Sequence, residues 1–244
     1  MILAWMLTPL LTLAPFKEEQ LKHERVRAAQ KNTDAALRER FAEQGLDYPP
    51  RQLFLRAFKR DKQLEVWVPH NGKLKRFHTY DICASSGDLG PKWESGDGQV
   101  PEGVYTIDHF NPASNYHLSL RVSYPNAADR ARTAARAKAA NAKVPSMGGD
   151  IYVHGSCVTI GCMPLTDPKI EEVYWLAVQA GSPIPVHIFP TRLTDDAMRD
   201  QETRRAPEAT LTLWKQLKPI YEHFETTQLV PKVRVDANGY KKIR

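Results

Sequence analysis

Cysteine is scarce in this chain, with three in 244 residues, at positions 83, 157 and 162. Three thiols are too few for a disulfide scaffold, and an odd number leaves at least one unpaired within the chain. No C-x-x-C pair occurs, so the usual ligand spacing of structural zinc is missing. Long apolar runs are missing too. The uncharged stretch MILAWMLTPLLTLA, Met1–Ala14, is shorter than the about 20 apolar residues that a spanning helix needs. There is no Lys/Arg run interleaved with aromatics, no zinc-finger spacing and no RNA-binding signature. The net charge of +6 therefore reads as a solvated basic surface, and no nucleic-acid partner is expected.

What is present suits a globular chain of one or two domains: 42% hydrophobic and 25% charged residues, enough to bury a core without metal or disulfides. Met1–Ala14 fits the apolar part of a secretory signal, with Thr12 and Ala14 as small residues before a cut, although no basic leader precedes it. Residues 1–15 are thus expected to be a signal peptide or anchor, with membrane contact only through that segment if it stays uncleaved. From Phe16 to Gln44 the chain is heavily charged, and Leu21, Val26, Leu37 and Phe41 are thinly spread. This predicts a mostly solvated helix or tether over 16–50, ended by Gly45 and Pro49–Pro50.

The folded domain is expected over 51–191. Leu53, Leu55 and Ala57 alternate, as do Leu64, Val66 and Val68, with turns at Asp61–Lys62 and Asn71–Gly72. A long Gly/Pro-rich loop, GDLGPKWESGDGQVPEG, precedes the strands VYTIDHF and HLSLRVSYP, and loops of this length are usually functional. The Ala-rich stretch Ala127–Lys143 predicts an exposed helix or insertion. DIYVHG and IPVHIFP read as strands. Between them Asp167 caps a helix with Pro168 at its first position and Gly181 at its end. A helical extension over 192–228, divided or kinked at Pro219, and a loose polar tail over 229–244 complete the chain. The class expected is α+β, with a mainly antiparallel, sandwich-like β core and flanking helices.

Two of the three cysteines fall in IYVHGSCVTIGCMPLTD, eight residues or fewer from His154. Thiol catalysis needs a thiol, a base within reach and donors for an oxyanion. His154 ends a strand. Cys162 follows Gly161 on a turn before a helix, where free N–H groups would favour a thiolate. Cys162 is the candidate nucleophile and His154 the base, with Gly161 on the oxyanion turn together with the N–H of Cys162. Two other readings stay open. His154, Cys157 and Cys162 with Cys83 or His187 would make a zinc site of unusual spacing, or a Cys83–Cys157 bridge would leave Cys162 free. His78, His109, His117 and His187 read as core or half-exposed histidines, and His23, His70 and His223 as surface ones.

The motifs YVHGSCVTIGCMPLTD, SSGDLGPKWESGDGQVPEGVYTI and YPNAADR, in that order, resemble the YkuD-type L,D-transpeptidase family, and within it the YafK-like murein branch. The resemblance runs from about Arg51 to Asp196, and LWKQLKPIYEHFE is similar to that branch's C-terminal helix. It implies a cysteine acyl transferase acting on peptidoglycan stem peptides in the periplasm, with a thioester on Cys162 and no metal or cofactor. The third catalytic partner it implies is a backbone carbonyl rather than a carboxylate. Gly155 and Thr159 are the candidate substrate contacts, and Pro101–Gly103 a structural turn. The chain departs from most of the family in having Ile160 where a second histidine stands, MPL where Arg or Asn follows the cysteine, and a short His154–Cys162 spacing. The YafK-like branch shares these features. It includes an amidase that releases a lipoprotein from peptidoglycan, so hydrolysis, with a peptidoglycan-linked lipoprotein as partner, is the alternative to transfer. A non-catalytic cell-wall binding protein is the third reading.

Overall fold

Strand β1 (Phe54–Phe58) carries the sequence FLRAF, and all five residues are buried. Such a strand needs cover on both faces and partners on both edges. It has β2 (Gln63–His70) antiparallel on one side and β8 (Ile184–Phe189) parallel on the other. Between β2 and β3 (Lys73–Asp81), Asn71 and Gly72 both have positive φ, as a tight hairpin turn requires. Strand β4 (Gly103–Asn111) lies against β8 and β5 (Ser119–Val122), and β6 (Tyr152–His154) joins β5 to the short β7 (Met163–Pro164). This computed structural model describes residues 15–203 and 206–243. The segment Met1–Ala14, with its expected signal role, lies outside the described residues.

The α+β class and the mainly antiparallel pairing agree with expectation. Strands β1 to β8 form one eight-stranded sheet, ordered β3-β2-β1-β8-β4-β5-β6-β7. The sheet curls until its edges meet. The Cys83 N–H, just past β3, donates to the Pro164 carbonyl in β7 at 3.0 Å, and a Cys83–Cys157 disulfide closes the same seam.

The charged N-terminal segment is no tether. Helix α1 (Glu24–Glu43) buries Val26, Ala29, Thr33, Leu37 and Phe41 along one stripe and packs on α3 (Asp167–Ala180). Ala29 and Thr33 complete that stripe with little apolar surface, which is why the sequence pattern looked thin. Polar anchors reinforce it, since Asp34 accepts from Tyr48 Oη at 2.6 Å and from Trp175 Nε1 at 2.8 Å. The Ala-rich stretch is helix α2 (Ala127–Ala139), started by an Asn126 capping box.

Helix α4 (Asp195–Thr203) leads to α5 (Glu208–Thr227), which runs undivided through Pro219. The missing N–H of Pro219 removes one helical bond, and the buried face of Leu213, Trp214, Leu217, Ile220, Tyr221 and Phe224 outweighs it. Glu102, in the Pro101–Gly103 turn, accepts from Trp214 Nε1 at 2.6 Å and pairs with Lys59 at 3.0 Å, so this turn ties α5 to the end of β1. The expected loose tail is instead a hairpin, β9 (Val233–Asp236) with β10 (Gly239–Lys242). Its Tyr240 is 4% exposed and accepts from Asn126 Nδ2 at 2.9 Å, so one aromatic in a polar stretch holds the end of the chain down. Among the described residues no helix is long and apolar enough to cross a membrane.

Candidate active site

The parallel register of β6 and β7 pairs Val153 with Met163 and His154 with Pro164. Val153 and Met163 are core residues, so their neighbours turn to the other face by the two-residue period of a strand. That places Tyr152, His154 and Cys162 on one side of the sheet. Cys162 and His154 line one cavity of about 440 Å³, with Tyr116, Asp150, Tyr152 and Thr159 on its walls.

His154 is 2% exposed. Its Nδ1 lies 2.5 Å from the Gly155 carbonyl. A carbonyl only accepts, so Nδ1 carries the proton and Nε2 keeps its lone pair. Burial holds the imidazole pKa below its ordinary value, against the smaller upward pull of the Gly155 bond. At neutral pH the ring is therefore an uncharged base. The ring of Tyr116 lies over it, with centroids 4.8 Å apart and planes inclined at 34°.

Cys162 is half-buried and is the free thiol among the described residues. Its Sγ donates to the Asp150 carbonyl at 3.4 Å, not to the imidazole. Burial pushes the thiol pKa up. The Tyr152 N–H pulls it down, the Asp150 charge raises it, and Lys92 lowers it. The expected thiolate at a helix start is not found. Cys162 precedes β7, and α3 begins only at Asp167, so no helix N-terminus faces the sulfur. At neutral pH the thiol and the imidazole that line this cavity are therefore both uncharged.

The turn before the sulfur is held by Thr159. Its Oγ1 accepts from the N–H groups of Gly161 at 3.2 Å and Cys162 at 2.8 Å, and donates to the Cys162 carbonyl at 2.9 Å. Two N–H groups converging on one oxygen are what an oxyanion needs, and here the threonine hydroxyl holds that place. Gly161 has φ +130°, and a Cβ there would lie 3.1 Å from the Gln99 carbonyl. Gly155 is equally constrained, because a Cβ would meet Asp167 Oδ1 at 2.6 Å and the Tyr116 carbonyl at 2.9 Å. Gly155 is buried, and it meets the site through the carbonyl that orients His154. Asp167 is the first residue of α3 rather than its cap, which is Thr166, and its carboxylate accepts from the Ser156 N–H at 2.8 Å.

Cys83 and Cys157 are joined across 74 residues, which takes both thiols out of any ligand set with His154 and Cys162. His187 is buried beside Arg56, and burial first, then that positive charge, takes its pKa down to about 3. Sequence reasoning missed Tyr116 and the way it is held. Arg25 of α1 donates from Nη1 to the carbonyls of Ser114 at 2.5 Å and His117 at 2.8 Å, and His117 in turn meets Glu171 of α3 at 2.8 Å. The N-terminal helix thereby fixes the loop that sets Tyr116 over the His154 imidazole. Nothing local marks Arg25 for this; the signal lies only in the position of the segment against α3.

The family model described as the YkuD L,D-transpeptidase catalytic domain matches residues 55–188. A protein of Escherichia coli K12, "Putative L,D-transpeptidase YafK", is 33% identical over 193 residues, 77% of this chain and 72% of that protein. Among solved structures, the helical cell shape determining protein Pgp2 of Campylobacter jejuni is 17% identical, with a TM-score of 0.46 over 79% of this chain and 77% of that one. Bd1075 of Bdellovibrio bacteriovorus is 16% identical, with a TM-score of 0.41 over 75% and 76%. The domain match over residues 55–188 and the YafK relationship make this chain a member of the YkuD L,D-transpeptidase family.

Proposed function

We propose that the chain is a cysteine acyl transferase whose donor is a peptidoglycan stem peptide, acting in the cell envelope through a thioester on Cys162. The observation that carries this reading is the Nδ1–Gly155 bond, which leaves Nε2 as the proton acceptor of an imidazole sharing a cavity with the thiol. Sγ attacks the carbonyl carbon of the diamino-acid residue while Nε2 takes the thiol proton. The C–N bond then breaks, and the same proton passes from Nε2 to the departing amine. An acceptor attacks the thioester, gives its proton to His154, and the thiol is restored. An amine acceptor makes a new peptide bond and water completes a hydrolysis; the first half is common to both. Met1–Ala14 is the segment proposed to direct export.

Incubation with purified muropeptides, with and without one linked to a lipoprotein, tests this by product mass. A Cys162 adduct lighter than the donor by the departing amine is expected, followed by exchange, cross-linked or hydrolysed products. Intact donor and unmodified Cys162 after long incubation would refute it. The pH dependence follows from the two displaced groups. Below its lowered pKa the imidazole is protonated and cannot accept, so on the acid side the rate should fall only at pH below the ordinary imidazole range, and it should stay flat from there up to the raised pKa of the thiol. Alkylation of Cys162 by iodoacetamide should have its midpoint above that of an ordinary thiol. A midpoint well below would mean a preformed thiolate–imidazolium pair instead.

A further inference from the structure

The long loop between β3 and β4 is folded around one carboxylate. Asp97 Oδ1 accepts from Lys92 Nζ at 2.6 Å and from the Gln99 N–H at 3.0 Å. Its Oδ2 accepts from the N–H groups of Trp93 at 2.8 Å and Glu94 at 3.1 Å. Burial raises the pKa of this group, but Lys92 and the three N–H groups hold it below the ordinary carboxylate value, so it is ionised at neutral pH. Lys92 is itself 5% exposed and also donates to the Glu94 carbonyl at 2.9 Å. The turn so formed lies against both stretches that flank the thiol. On one side the peptide bond between Gly98 and Gln99 abuts Gly161, where an added Cβ would lie 3.1 Å from the Gln99 carbonyl oxygen and 3.6 Å from the Gly98 carbonyl carbon. On the other, the Ser95 N–H donates to the Ser146 carbonyl at 2.7 Å, and a Cβ at Gly148 would lie 3.2 Å from the Ser95 hydroxyl. Residues 146–150 end at the carbonyl that accepts from Cys162 Sγ.

We propose that Asp97 is a positioning residue for acyl transfer: by closing this turn it braces Gly161, so that the N–H groups of Gly161 and Cys162 point where an oxyanion forms. This rests on the acyl-enzyme reading of Cys162 given above. Gly161 has φ +130° and no side chain, so nothing of its own fixes the direction of its N–H. A substrate carbonyl that binds the two N–H groups takes them from the Thr159 hydroxyl, and the turn then relies on the backbone packed against the Gly161 Cα. Ser86 ties the same backbone from the other limb of the loop, its Oγ donating to the Gly98 carbonyl at 2.8 Å. Oxyanion donors act in the transition state, so a shift of about 1 Å in them costs about 10²-fold in rate and little in binding.

The test compares two reactions of the same sulfur in wild type, Asp97→Asn and Ser86→Ala. Thioester formation with a muropeptide develops an oxyanion, whereas alkylation by iodoacetamide displaces iodide from a saturated carbon and develops none. An asparagine amide puts an NH2 where one carboxylate oxygen stood, so two of the four donors lose their acceptor. Asp97→Asn should lower kcat for thioester formation about 10²-fold, with KM within about twofold of wild type. Ser86→Ala removes one neutral hydrogen bond from the same backbone and should lower kcat about threefold. The rate and the pH midpoint of Cys162 alkylation should stay at the wild-type values in both. Unchanged kcat, a loss that falls on KM, or alkylation slowed by the same factor overturns the assignment. If Asp97→Asn does not fold, Ser86→Ala decides by the same comparison. A wild-type protein whose Cys162 is alkylated but which forms no thioester is a different result: it removes the acyl-enzyme reading, and this proposal with it.

Discussion

Replacement of Cys162 by alanine is expected to lower turnover of muropeptides by on the order of 10⁴-fold or more, with no adduct detectable by intact mass. No other free thiol among the described residues can take its place, because Cys83 and Cys157 are bridged. His154→Gln should cost on a similar scale, since a thiol whose pKa is raised by burial is a poor nucleophile without a base. The two groups act on one proton, so the double variant should be scarcely worse than either single one. Additive losses would show that they work separately. Cys162 is only half-buried and alanine is smaller, so the Cys162→Ala variant should fold, and thermal unfolding unchanged from wild type in each variant confirms that lost activity is lost chemistry.

The second large effect concerns the seam of the sheet. The Cys83–Cys157 bridge closes a loop of 74 residues, and loop-closure entropy of that length is worth about 4 kcal/mol. The Cys83→Ser/Cys157→Ser double variant should lose roughly that much unfolding free energy in urea titrations. Under native conditions the oxidised protein should take up alkyl groups at Cys162 alone, and the bridged pair only after reduction. The bridge also ends on the loop carrying Thr159 and Cys162, so its loss should reduce activity beyond its effect on stability. A stability loss under about 1 kcal/mol would mean that the Cys83–Pro164 backbone bond and the surrounding packing already close the sheet.

Much of the fold can be read along the chain, because strand alternation and turn residues are local properties. The Leu64–Val68 alternation, the Asn71–Gly72 turn and the helix between Pro168 and Gly181 all became the elements they predicted. The failures share one cause. A helix such as α1 is thinly apolar because Ala29 and Thr33 are small and a close neighbour supplies the rest of the contact surface. The tail looked loose because few residues anchor it, chiefly Tyr240 with the partly buried Val233 and Val235. At Pro219 a local helix breaker was overruled by a buried face that only tertiary packing provides. The site divides the same way. His154 and Cys162 are legible because thiol chemistry demands those residue types close together, whereas Tyr116 and Arg25 carry no chemical signature of their own.

The sequence by itself determined His154 and Cys162 as the proposed catalytic pair and the strands near them, for a strand's period puts alternate side chains on one face wherever that strand lies. Only the folded molecule decided the protonation state of that pair, because desolvation, not residue type, lowers one pKa and raises the other. It also decided which cysteines meet and which groups surround Cys162. Both depend on how far the sheet curls, and that curl is a property of eight strands packed together rather than of any one of them.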